Sequence, residues 1–205
     1  AVCLGLALAM MRSSRHRLLA WPAALYIEIV RGTPLLVQLY LVYFSLAQLG
    51  VRWGTDALTF DAFYVGVVCL AGNYAAYEAE IHRAGIQAID TGQREAALSI
   101  GMSERQAFFR VVLPQAFKIV IPPVINDVIA MLKDSCLVSV IGVQELLTVA
   151  QSVGKARASV AEMLVVAAFF YLTLSLPCYY LGKYIERRLK AKGMPELHLD
   201  TVHGH

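Results

Sequence analysis

One charged stretch set between long apolar runs constrains this chain more than any other feature. Residues Arg94 to Pro114 read REAALSIGMSERQAFFRVVLP, and the runs on either side are largely free of charge. Burying unpaired charge in hydrocarbon is too costly, so this stretch is a water-facing element between membrane segments. Of the 205 residues, 58% are hydrophobic and 16% charged, where an ordinary globular domain has about 45–50% and about 25%. That balance predicts an all-α membrane protein formed by residues 1–205 as a single domain, with no room for a soluble enzyme domain. No basic cluster interleaved with aromatics points to nucleic acid.

Five apolar segments can be followed along the chain. Ala1–Met11 is too short for a hydrocarbon core of about 30 Å, which takes about 20 helical residues. It also lacks the charged leading region of a signal peptide. The expectation is therefore a first membrane helix that is truncated here. Leu18–Leu49 is interrupted at Gly32-Thr33-Pro34, which predicts a slanting or interfacial helix, a break and then a span. Phe60–Ile81 continues with more polar character to Ile89. Ala116–Leu132 carries Pro122 and Pro123 near its start. Val138–Val153 is shorter and mixed, a re-entrant or surface-lying piece, and Val160–Leu181 is the last span.

Basic residues near span ends mark the cytoplasmic side. Arg12, Arg15 and Arg17 follow the first segment. Arg83, Arg94, Arg105, Arg110 and Lys118 surround the polar stretch, and Lys183, Arg187, Arg188, Lys190 and Lys192 follow the last segment. Five spans with the N-terminus outside and the C-terminus cytoplasmic put all of these on one side. The opposite loops, with Arg52, Asp56 and Asp61 and then Lys155, Arg157 and Glu162, have no comparable excess. Trp21 and Tyr26 suit one interfacial belt, Trp53 and Tyr64 the other. Cys3, Cys69, Cys136 and Cys178 read as small buried side chains rather than a disulfide or metal set. The tail histidines His198, His203 and His205 make no metal motif.

The polar stretch has its own grammar. Asp90 or Thr91 can cap a helix over Gln93–Ile100, Gly101 permits a left-handed turn, and Ser103-Glu104-Arg105-Gln106 fits a capping box. A second helix is expected from Glu104 to Val112, ended or kinked by Pro114. Ala96, Ala97, Ile100, Phe108 and Phe109 then form an apolar patch rimmed by Glu95, Arg105 and Arg110, which is the anatomy of a protein interface.

The spacing Glu95-Ala96-Ala97, three residues, Gly101, nine residues, Val111, one residue, Leu113-Pro114 resembles the EAA loop of ABC importer permeases, with Val111 where that family has Ile. RGTPLLVQ (31–38), AYEAEIHRAGI (76–86), LKDS (132–135) and VSVIG (138–142) resemble the polar amino acid branch of those permeases. The resemblance implies a type I ABC importer permease-like bundle of five transmembrane helices in the bacterial cytoplasmic (inner) membrane, its loop 90–114 forming a cytoplasmic coupling helix. It further implies ABC ATPase subunits as partners, a second permease copy or paralogue, and an extracytoplasmic amino-acid-binding protein. Glu95, Ala96, Ala97, Gly101, Phe108, Leu113 and Pro114 would couple to the ATPase. ATP and Mg would sit on that partner, with no cofactor or metal on this chain.

Ionisable residues inside spans face a pathway or a partner. Asn73, Tyr77 and Glu80 fall at i, i+4, i+7 on one helix face, with Glu78 turned toward another neighbour. Asn126 and Lys133 share a second face, near Asp134. These seven residues are candidates for a pathway that carries a zwitterion. The plainer alternatives are that Glu80 with Arg83, and Lys133 with Asp134, satisfy one another or pair with neighbouring helices, and that Glu28 pairs with Arg31. No G-x-x-x-x-G-K-[ST], HExxH, nucleophile elbow or kinase set is present, so the chain is neither a P-loop ATPase nor a recognisable enzyme and has no catalytic residues to name. An ATP-driven import permease for polar amino acids, an ion-coupled secondary transporter and a membrane scaffold that recruits a cytoplasmic protein remain the competing readings.

Overall fold

A computed structural model describes residues 1–14, 16–53 and 60–191. Arg15, Asp56, Lys192, His198, His203 and His205 lie outside the described residues, as do the side chains of Trp53 and Lys190. The described elements are all helical: α1 (Val2–Arg12), α2 (Arg17–Gly32), α3 (Leu35–Trp53), α4 (Ala62–Gln87), α5 (Thr91–Ser99), α6 (Glu104–Ala107), α7 (Leu113–Asp134), α8 (Leu146–Ala156) and α9 (Val160–Ala191). A π turn (Phe108–Val112) joins α6 to α7, and a 3₁₀ turn (Ser135–Ile141) follows α7.

Each expected apolar segment is helical, and the break falls where Pro34 requires it. α2 and α3 meet at 109°, because Pro34 has no N–H to continue the ladder and disfavours α geometry at Thr33. Among the described residues, α9 is the one unbroken helix long and apolar enough to cross a bilayer by itself, and α2 with α3 qualifies as a bent pair. α4 and α7 fall short because they carry the polar residues: Glu78, Glu80, His82 and Arg83 on α4; Lys118, Asp127, Lys133 and Asp134 on α7.

α4 is the spine. It packs against α1, α2, α3 and α7, and α7 and α8 pack against α9. Small residues set the approach distances. A Cβ on Gly5 of α1 would collide with the Glu78 side chain, and one on Gly85 of α4 would collide with Val120 of α7. Ala9, Ile27, Ala76 and Ala79 fill the α1–α2–α4 junction, and Leu39, Val65, Cys69, Val138 and Ile141 form a second core under the 3₁₀ turn. Cys3 departs from the expectation and is exposed, while Cys69 is buried; the four cysteines are free.

The segment expected to be re-entrant or surface-lying becomes the 3₁₀ turn and α8. Glu145 caps α8, accepting from the backbone N–H groups of Leu147 and Thr148 (both 2.7 Å) and from the Tyr171 hydroxyl (2.8 Å) on α9. The last helix runs beyond the expected Leu181 to Ala191, because its final turns are rich in good helix formers.

Candidate functional site

The loop after α4 folds as its capping residues demand. Asp90 accepts the Gly92 N–H at 2.6 Å and starts α5. Gly101 takes φ +87°, a conformation that glycine alone adopts freely, and turns the chain. Ser103 accepts the Gln106 N–H (3.3 Å) while Gln106 Oε1 accepts the Ser103 N–H (2.9 Å), a complete capping box. The Arg94 guanidinium grips the Glu104 carboxylate with two bonds of 3.0 and 2.6 Å, tying α5 to α6 across the turn. Gln115 Nε2 donates to Gln93 Oε1 at 3.3 Å, a further tie from α7 back to α5. Ile89, Val112, Ala116 and Ile119 form the apolar core that seats the loop on α4 and α7.

Two details of the loop differ from the expectation. Pro114 does not end the helical path: it occupies the first turn of α7, and the chain is helical from Glu104 to Asp134. The wider π turn at Phe108–Val112 accommodates the proline ring, which would press on the Arg110 carbonyl in a regular α turn. Ala97 is not on the patch; at 4% exposure it packs inside the loop. The remaining patch is real. Ile100 is 76% exposed and Phe109 55%, with Phe108 packed edge-on against Phe109. Ala96, Glu95, Gly101 and Pro114 are exposed and Leu113 is half-buried. Arg105 lies over the Phe109 ring, and Arg105, Gln106, Phe109 and Arg110 line a shallow depression of about 300 Å³.

The polar residues of the spans form three separate groups. The first is a staple. Gln38 Nε2 donates to the Val30 carbonyl (2.8 Å), the Thr33 carbonyl (3.1 Å) and Thr33 Oγ1 (2.8 Å), and Gln38 Oε1 accepts from Asn73 Nδ2 (3.0 Å). Thr33 Oγ1 in turn donates to the Ile29 carbonyl at 2.8 Å. The carbonyls of Ile29, Val30 and Thr33 at the break are thus satisfied. Asn73, expected on the pathway, is 6% exposed and serves this staple.

The second group gathers on Glu80. Arg83 donates to Oε1 through Nε (3.0 Å) and Nη2, Arg12 donates to Oε2 at 3.1 Å, and Arg31 Nη1 stands 4.0 Å from Oε2. The predicted Glu80–Arg83 pair forms. The Glu28–Arg31 pair does not: Glu28 lies 3.7 Å from Arg12, because Arg31 turns toward Glu80 and the Tyr77 ring (5.5 Å). The third group is buried. Glu78 is 1% exposed, so it lies between helices rather than on an open face, with His82 Nε2 3.8 Å away.

Lys133 and Asp134 also part company. Asp134 accepts the Tyr74 hydroxyl at 2.8 Å, while Lys133 is exposed, as is Asn126 on the same face. Of the seven candidate pathway residues, Tyr77, Asn126 and Lys133 are exposed, Asp134 is half-buried, and Asn73, Glu78 and Glu80 are engaged inside the bundle. Sequence reasoning missed Gln38 and Arg31 as members of these groups. A lone glutamine four residues after a proline in an apolar run was the available signal. Among the described residues, no group of three His, Cys, Asp or Glu could hold a metal ion.

The chain is also similar to proteins already known. Residues 1–191 match the family described as the inner membrane component of binding-protein-dependent transport systems. The chain belongs to that family. This permease is 40% identical to the arginine transport system permease protein ArtQ of Bacillus subtilis (strain 168), covering 92% of this chain and 83% of that one. It is 40% identical to the L-cystine transport system permease protein TcyB of the same organism, covering 91% and 77%. A crystal structure of an amino acid ABC transporter with histidines matches at TM-score 0.85 and 42% identity, covering 91% of this permease and 84% of that chain. The permease is therefore a multi-pass inner-membrane subunit of an amino acid ABC transporter with the type I fold, and not itself an enzyme.

Proposed function

We infer that this permease is the translocation subunit of an ATP-driven importer for polar amino acids, operating as one domain over residues 1–205. Loop 90–114 faces the cytoplasm and docks a separate ABC ATPase, which alone binds ATP and Mg. An extracytoplasmic binding protein delivers the substrate. A second copy of the chain or a paralogue completes the pathway, since five spans are too few to enclose one. The N-terminus lies outside and the C-terminus in the cytoplasm. Relatives named for arginine, glutamine, cystine and octopine support the amino acid class.

The observation that carries the docking role is the exposure of Ile100 (76%) and Phe109 (55%) on a doubly capped, charge-rimmed loop. Large apolar groups held rigidly in water gain from being covered by a partner. Glu95, Ala96, Gly101, Phe108, Leu113 and Pro114 complete this element, with Ala97 as its inner packing. Tyr77, Asn126 and Lys133 are the exposed members of the candidate set and are the proposed pathway contacts, with Asp134 at their edge.

Copurification tests the reading. Ile100→Asp and Phe109→Ala are expected to release the ATPase from detergent-solubilised complex and to abolish ATP-dependent amino acid uptake into proteoliposomes, with membrane insertion retained. ATPase retention in both variants, or uptake that proceeds without ATP, would refute it.

A further inference from the structure

Three guanidiniums converge on Glu80, and they are not held alike. Arg83 bonds Oε1 and Arg12 bonds Oε2, whereas Arg31 sits 4.0 Å from Oε2, at the outer limit of ion-pair contact, with its side chain 41% exposed. Among the described residues, Arg12, Arg31 and Arg83 make their ion pairs with Glu28 and Glu80, which leaves one positive charge in excess. Arg31 therefore keeps unused donors, and an arginine fork is shaped for a carboxylate. Its guanidinium rests 5.5 Å from the ring of Tyr77, itself 38% exposed.

The surroundings of Arg31 point the same way. It is the penultimate residue of α2, at the break, and residues 31–34 are all exposed. A Cβ built on Gly32 meets nothing within 4 Å, so open space adjoins the broken backbone. Non-helical backbone at membrane depth is tolerated only against protein or a water-filled cavity. The carbonyls of Ile29, Val30 and Thr33 are already taken by Thr33 and Gln38. That blunts the negative end of α2, and the one carboxylate exposed nearby, Glu28, faces Arg12. The local field is the guanidinium's, and the site selects an anion.

We propose that Arg31, seated on Tyr77, receives the α-carboxylate of the transported amino acid. This rests on the amino acid import reading above. The arriving carboxylate takes the fork that Glu80 leaves unbonded and neutralises the excess charge. Glu80 keeps Arg12 and Arg83, so the junction of α1 with α4 stays closed during the exchange.

Equilibrium binding to the permease–ATPase complex in nanodiscs, without the binding protein, tests the assignment. The probes are L-arginine, L-histidine and L-glutamine, each against its α-amide. One charge-assisted contact predicts that wild type prefers the acid about ten- to hundred-fold. Arg31→Gln abolishes that preference while leaving amide binding nearly unchanged, and Arg31→Lys, which keeps the charge but loses the fork, gives an intermediate value. An acid preference that survives Arg31→Gln, an equal loss for acid and amide, or no acid preference in wild type overturns the proposal. Should Arg31→Gln not assemble, an undiminished preference in Arg31→Lys overturns it. An anionic-lipid requirement that is lost in Arg31→Gln, with the acid preference unchanged, assigns the guanidinium to a lipid phosphate and also overturns it. Absence of ATP-dependent uptake of all three amino acids is a different result, and counts against the import reading itself.

Discussion

Replacing Gln38 by leucine should destabilise the permease more than any other polar-to-apolar change in the spans. The amide makes four contacts: three as donor, to the Val30 carbonyl, the Thr33 carbonyl and Thr33 Oγ1, and one as acceptor from Asn73. An Nε2 group has two N–H bonds, so two of the three donor contacts act at full strength at any moment. Thr33 is exposed and water can replace its partner, which leaves the Val30 carbonyl and the buried Asn73 amide as the groups orphaned by the substitution. Hydrogen bonds between membrane helices average about 0.6 kcal/mol, with a maximum near 1.7. Stranding a buried amide costs about 1–3 kcal/mol. The sum is roughly 2–4 kcal/mol, or a fall in Tm of about 5–15 °C for a chain of this size. Thermal unfolding of purified Gln38→Leu in detergent measures it. A double-mutant cycle with Asn73→Ala should show a coupling of about 0.5–1.5 kcal/mol, since the two side chains share one bond. A Tm within about 2 °C of wild type, or strictly additive effects, would refute the staple.

Other predictions are more local. Gly101→Val forces a β-branched residue to φ +87° and should cost roughly 1–3 kcal/mol in the loop, seen as lost ATPase copurification with the membrane spans still folded. Ser103→Ala removes half of the capping box and should weaken α6 by about 1 kcal/mol, read as faster hydrogen exchange over residues 104–112. Gly85→Ala drives a methyl into Val120 and should lower the yield of folded protein, and Val120→Ala should restore it. Glu145→Ala removes the cap of α8 and the acceptor of Tyr171, and should raise protease sensitivity around residues 142–158.

The capped loop was legible because capping is local. Asp90, Gly101, Ser103 and Gln106 act within a few residues of themselves, so their chemistry predicts their geometry. The break at Pro34 was legible for the same reason. The polar groups of the spans were not, because their partners lie 35 to 68 residues away: Gln38 with Asn73, Tyr74 with Asp134, Arg12 with Glu80. Sequence periodicity correctly puts Asn73, Tyr77 and Glu80 on one face of α4. It cannot say that α1 and α3 cover two of the three and leave the ring of Tyr77 open. The same blindness produced the expected Glu28–Arg31 pair, whose two members turn instead to Arg12 and Glu80 across the bundle, whereas the expectation that Asp134 could pair with a neighbouring helix is met by Tyr74. That the helical path continues through Pro114 was not legible for a different reason: it depends on whether the preceding turn can widen, and the π turn does so.

That π turn decides how the loop can act. From Glu104 to Asp134 the backbone is continuously helical, a rod of roughly 45 Å at 1.5 Å per residue. The exposed Ile100 and Phe109 lie at or just before its loop end, and Lys133 and Asp134 close the other. A hinge anywhere along the rod would dissipate movement imposed on the patch. The loop end of the rod is braced: Arg94 bridges Glu104 across the Gly101 turn, Gln115 reaches back to Gln93, and Val112 and Ala116 are packed against Ile89, while Pro122 and Pro123 inside α7 each remove one ladder hydrogen bond. Further compliant points lie at the 109° bend between α2 and α3 and at the loosely held Arg31 beside it. A push on the patch therefore bears on α7 where it packs against α4, at the close contact of Gly85 with Val120. Movement at that contact shifts Lys133 and Asp134 relative to Tyr74 and Tyr77, so the same rigid element that meets the proposed ATPase also carries the polar groups nearest the proposed pathway.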